Sequence, residues 1–110
     1  MLLYDNGNER PDAPDSYSRA VRFHLDEETM VATQVWSYPV EHYTIFLGDA
    51  MTLEDGGALV CAGGVLGSEP PADVVEVSAD PLAKARWRVS YGAESVVYRA
   101  KRIASFYPQP

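Results

Sequence analysis

MVATQVWSY, residues 30–38, alternates along its whole length. Val31, Thr33, Val35 and Ser37 fall on one side of an extended chain, and Met30, Ala32, Gln34, Trp36 and Tyr38 on the other. A period of two carried by β-branched and aromatic residues describes a half-buried strand; a helix would scatter the same residues around its axis.

Reading outward from this stretch, every neighbouring segment has the same character. Upstream lie the polar turn Asp26-Glu27-Glu28 and a strand from about Tyr17, with Ala20, Val21, Phe23 and Leu25 as its apolar residues. Further back, Leu2-Leu3-Tyr4 runs into Asp5-Asn6-Gly7-Asn8, a turn signal because Asn and Gly tolerate positive φ. Residues 9–16, rich in Pro and Asp, read as a surface loop. Downstream, residues 43–53 form a strand that ends at Glu54-Asp55-Gly56-Gly57, and residues 58–62 form a short apolar strand that stops at Gly63-Gly64. Strands follow at 74–78 and 85–91, separated by the turn Ala79-Asp80-Pro81. Residues 95–107 read as a strand, or as two strands broken near Lys101, although Val97, Ala100 and Ala104 also suit a helical face.

A faint repeat orders these pieces. LLYDNGN, VRFHLD and QVWSY correspond in sequence to LVCAGG, VEVSAD and ARWRVSY, at the interval of a four-stranded propeller blade. The expected fold is all-β: a partial β-propeller of about two antiparallel blades plus a terminal strand. The whole chain, 1–110, makes one domain with repeat-like segments 1–38 and 45–91. A small sandwich or a run of hairpins is the alternative. Trp36 and Trp87 occupy matching places and are expected to anchor equivalent core layers. Two blades leave propeller faces uncovered, so further blades or a homo-oligomeric partner are expected to cover them.

Charge and composition narrow the function. Sixteen acidic residues against nine basic ones give a formal charge of −7, which repels nucleic acid and anionic membranes. No nucleic-acid partner is expected. No apolar run is long enough for a membrane span, and MLLYDNGNERPD lacks the pattern of a signal peptide. The single cysteine, Cys61, lies in an apolar run and reads as a buried, inert thiol.

The residues with chemistry are few. Asn6, Asn8 and Arg10 follow a short strand together with Asp5, and the guanidinium fork of Arg10 matches a sulfate, phosphate or carboxylate. The alternative is that Asn6-Gly7 only turns the chain while Arg10 pairs with Asp12 or Asp15. Arg19 in the Tyr17-Ser18-Arg19 group and Arg99 beside Tyr98 are candidate pocket residues, as is Asp49, which interrupts an apolar strand. Exposed hydrogen bonds and salt bridges, or local capping by Asp49, explain the same residues. Of the two histidines, His24 reads as a strand residue, whereas His42 between Glu41 and Tyr43 is a candidate for catalysis. Neither histidine has the spacing of a metal site, and Gly63-Gly64 fits no dinucleotide or phosphate loop. No metal and no cofactor are expected.

The ordered segments YDNGNERPD, SYSRAV, TQVWSY, GDAMTLEDGGALVCAGG and VVYRAKR resemble the C-terminal part of the arylsulfotransferase family, over roughly residues 2–107. That resemblance implies a β-propeller that moves a sulfuryl group between phenolic compounds, with an aryl sulfate or another small anion as ligand. It also implies a periplasmic or extracellular setting. By the resemblance, Arg10 belongs to a central polar region supported by Asn6 and Asn8, and a histidine acts as nucleophile. The histidine-bearing strand of the family has no match here, and neither His24 nor His42 takes the nucleophile's position. The chain is therefore expected to be incomplete for catalysis, or else a noncatalytic repeat or anion-binding module.

Overall fold

The computed structural model describes residues 1–10, 17–64, 72–92, 95–104 and 106–107. The ordered elements among them are seven strands: β1 (Leu2–Asp5), β2 (Arg19–Asp26), β3 (Val31–Pro39), β4 (Asp49–Thr52), β5 (Ala58–Ala62), β6 (Ala72–Val77) and β7 (Ala85–Tyr91). The described residues include no helix. Strands adjacent in sequence pair antiparallel to give two sheets, ordered β1-β2-β3 and β4-β5-β6-β7. Local chemistry sets this pattern. Between β2 and β3, Asp26 Oδ1 accepts the backbone N–H of Glu28 (3.0 Å) and Thr29 (3.1 Å), while Met30 closes the turn at φ 57°.

The sheets stack face to face, as expected of part of a β-propeller. Alternation along β5 and β6 decides which side chains meet. Ala58, Val60 and Ala62 of β5, with Val75 and Val77 of β6, pack against Ala20, Trp36 and Tyr38 of the first sheet and against Val40 just past β3. Leu59, Cys61 and Val74 point the other way and pack with Leu53. β5 and β6 are thus buried on both faces, which is why β5 is apolar throughout rather than alternating and why the two acids of β6, Asp73 and Glu76, are buried as well. Full burial of Val60 and Val77 contributes roughly 1.5–3 kcal/mol each. The principal extents are 45 × 43 × 21 Å, so the molecule is a slab with broad faces.

Four features depart from the sequence expectations. A β-bulge between Arg22 and Phe23 pairs Arg22 with Trp36 and Phe23 with Gln34, so Val35 has no partner in the register. The bulge breaks the alternation: Trp36 and Tyr38 enter the core, whereas Gln34 reaches Arg19 on the opposite face. The strand expected over 43–53 is shorter, because the loop up to residue 48 turns sharply at Leu47 (φ 63°) and Gly48 (φ 136°). The terminal strand is not formed; the described residues of 95–107 run irregularly. Trp87 is 43% exposed and not an equivalent of the buried Trp36: Trp36 packs into the core between the two sheets, whereas Trp87 lies outside that cluster, beside Glu76.

Candidate functional site

The end of β1 builds the densest polar cluster. Gly7 sits at φ 84°, and a Cβ there would lie 2.3 Å from Tyr17 O and 2.9 Å from Arg10 Nη2. Only glycine lets the chain turn tightly enough for Arg10 to fold back onto Asp5. Asp5 Oδ1 accepts the backbone N–H of Gly7 (2.9 Å), and its Oδ2 receives both Arg10 Nη2 (2.8 Å) and Arg19 Nε (2.9 Å). Arg10 also donates to Tyr17 O (3.0 Å) and stacks over the Tyr17 ring at 4.1 Å. Arg19 reaches Gln34 Oε1 at 3.1 Å. Burial opposes charge on Asp5, but hydrogen bonds from Arg10 and Arg19 outweigh it and hold the carboxyl below the ordinary aspartate range. Arg10 thus finds its acid in Asp5; Asp12 and Asp15 lie outside the described residues.

Asn6 and Asn8 turn outward from the same hairpin and grip the loop between β3 and β4. Asn6 Nδ2 donates to Thr44 O (2.6 Å) and Leu47 O (3.0 Å). Asn8 Nδ2 donates to Ile45 O (2.9 Å), and Tyr43 donates its hydroxyl to Asn8 Oδ1 (2.5 Å). Beneath them, Thr44 Oγ1 is within hydrogen-bonding distance of Tyr4 OH (2.7 Å) and Ser18 Oγ (3.0 Å). Burial pushes the Tyr4 phenol above its ordinary value. Thr44 is the hub that sequence reasoning missed, since between Tyr43 and Ile45 it reads as an ordinary strand residue.

The same loop carries His42. Both its ring nitrogens are shielded from solvent and lack a hydrogen-bond partner, and so does Arg10 Nη1. Buried polar atoms in folded proteins are almost always paired, so unpaired ones mark positions that an added group can satisfy. Trp36 Nε1 is the other such atom among the described residues. Next to His42, Glu41 accepts Arg88 Nη1 at 2.5 Å, and that bond holds the Glu41 carboxyl below its ordinary range.

Asp49 and Arg99, also expected in the pocket, pair with each other instead, Nε to Oδ2 at 3.3 Å. The structure therefore places Asn6, Asn8, Arg10 and Arg19 at the β1 turn and its neighbour strand, sets His42 on the loop that Asn6 and Asn8 grip, and ties Asp49 to the C-terminal segment. His24 is exposed on β2. Among the described residues, no group of three or more His, Cys, Asp or Glu is placed to hold a metal ion, and no helix is long and apolar enough to cross a membrane.

Two antiparallel sheets of three and four strands, packed on each other with no helix among the described residues, make the chain an all-β protein consistent with part of a β-propeller. The family model described as Arylsulfotransferase (ASST) matches residues 1–102, nearly the whole chain, and the chain belongs to that family. No match was found among the curated proteins compared with it.

Proposed function

We propose that this chain is a two-blade segment of an aryl sulfate sulfotransferase propeller and supplies the anion-holding side of its site. Sulfuryl transfer between phenolic compounds then requires groups from further blades or from a partner chain. In this reading, segments 1–38 and 45–91 are successive copies of one blade within a single domain.

The observation that carries the reading is the pair of unspent polar groups at Arg10 and His42. Arg10 Nη1 is a fixed, buried, charged donor suited to a sulfuryl oxygen, and Asp5 holds its guanidinium in place through Nη2. The Asn8–Tyr43 hydrogen bond ties the Arg10 turn to the His42 loop. In the transfer, a histidine nitrogen attacks sulfur, an N–S bond forms, the S–O bond to the aryl group breaks, and the electron pair leaves on the phenolate. A second phenol, losing its proton, then takes the sulfuryl group from nitrogen.

A noncatalytic anion-binding module is the second reading, favoured by the positive charge left over where the one Asp5 carboxylate pairs with both Arg10 and Arg19. Titrating the folded chain with an aryl sulfate, with NMR detection of the arginine side chains and His42, tests the site. Binding that disappears in Arg10→Ala is expected, with no transfer to phenol by the chain alone. Absence of any response at Arg10 and His42 rejects the site, and turnover by the isolated chain rejects the need for further groups. Binding alone, with no transfer even when further blades are supplied, selects the module.

A further inference from the structure

The outer face of the second sheet is closed by residues 95–104, a stretch with neither strand nor helix. Val97 and Ala100 pack there against Leu53, Leu59, Cys61 and Val74. This face is the reverse of the one on which the first sheet stacks, so the segment occupies the layer that another sheet would take.

Its attachment is sparse. Val97 N–H donates to Gly63 O (3.1 Å), and the Cys61 thiol lies 3.5 Å from Val97 O. Two ion pairs add to this: Arg99 with Asp49 at 3.3 Å and Arg102 with Glu76 at 2.9 Å. The arginine side chains are 48% and 60% exposed, so water and salt screen both pairs. Glu76 differs: its side chain is only 8% exposed and it also accepts Trp87 Nε1 (3.0 Å) and Arg86 Nη1 (3.4 Å). The carboxylate therefore remains satisfied when Arg102 departs, and opening strands no buried charge. A cleft of about 660 Å³ separates the end of the segment, residues 102–104, from residues 51–55, so packing there is loose.

We infer that residues 95–104 form a detachable strap, latched by Arg102 on Glu76 and Arg99 on Asp49, that gates access to the outer face of the second sheet. Closed, the strap shields Cys61, which is 1% exposed. Burial pushes that thiol up to about 11, so the closed form is unreactive. Open, Cys61 lies on an uncovered sheet face. The cysteine serves here as a reporter of the strap.

The test uses the full chain and its single cysteine, labelled by a small disulfide reagent in native buffer. Arg102→Ala is expected to speed labelling about three- to fivefold, the value of a half-exposed ion pair, and Arg99→Ala with Arg102→Ala about tenfold. Arg102→Lys restores most of the protection. Raising sodium chloride towards molar concentration speeds labelling of the unaltered chain and narrows its gap from the variants. Low urea separates strap opening from global unfolding: labelling by strap opening depends on it much less steeply, because opening exposes only part of the surface that unfolding does. Equal labelling in all variants overturns the inference. So does labelling that follows global stability across urea.

Discussion

Replacing Asp5 tests the arginine cluster directly. Its carboxylate receives Arg10 at 2.8 Å, Arg19 at 2.9 Å and the Gly7 N–H at 2.9 Å. Hydrogen bonds to charged groups contribute roughly 1.5–3 kcal/mol each. Here the side chains are 29% (Asp5), 14% (Arg10) and 17% (Arg19) exposed, so solvent screening favours the lower end of that range. Asp5→Asn keeps an acceptor for Gly7 and loses the charge, with an expected cost of about 2–3 kcal/mol; Asp5→Ala loses the turn bond as well and costs about 1 kcal/mol more. Urea unfolding followed by tryptophan fluorescence at neutral pH measures both. The pH dependence gives the sign. The Asp5 carboxyl titrates below its ordinary value of 3.8 in the fold, so its stabilisation is complete above that value and vanishes as pH falls through the lower, folded one. The gap between the unaltered chain and Asp5→Asn should therefore be full at neutral pH and close in strong acid. An Asp5→Asn cost below about 0.5 kcal/mol at neutral pH, or a gap that persists in acid, refutes the electrostatic account.

Two further outcomes follow from the packing. Gly48→Ala places a Cβ 2.2 Å from the Tyr4 ring at a φ of 136°, and is expected to cost about 3 kcal/mol and loosen the His42 loop, read by urea unfolding and amide exchange of residues 42–48. Trp87→Phe removes the indole N–H that buried Glu76 accepts at 3.0 Å and should cost about 1 kcal/mol through that bond, whereas Trp36→Phe breaks no hydrogen bond because Trp36 Nε1 has no partner. Parallel unfolding curves for the two variants distinguish these polar terms once each is corrected for the ring area it loses, larger for buried Trp36 than for half-exposed Trp87.

The layered arrangement explains why the polar cluster forms at the strand ends. β5 and β6 are enclosed between the first sheet on one side and the C-terminal segment on the other, which leaves little room for charge except at their margins. Asp73 and Glu76 are the buried acids of β6, and both are answered by β7: Ser90 donates to Asp73 at 2.5 Å and Trp87 to Glu76 at 3.0 Å. The Asp5 hub belongs instead to β1, where the chain leaves the sheet and the arginines keep partial contact with solvent.

Much of the β-structure was legible in the residue pattern because it rests on local rules. β5 and β7 fall on the segments 58–62 and 85–91 marked by apolar run and alternation, and Asp26, Gly7 and the Gly56-Gly57 pair turn the chain where short-range chemistry requires it. The anion-site candidates were legible as residue types: arginine, asparagine and histidine next to turns. Their roles were not, because pairing is a long-range matter. Asn6 finds its acceptors 38 and 41 residues away, and Asp49 finds Arg99 in the C-terminal segment. A bulge at Arg22 redirected Gln34, and a place outside the core between the sheets left Trp87 half exposed despite its match with Trp36. Periodicity thus determined which segments extend, while the stacking of one sheet on the other decided which faces were buried. Competition for hydrogen-bond partners then decided which polar groups were spent on structure and which, at Arg10 and His42, remained unpaired.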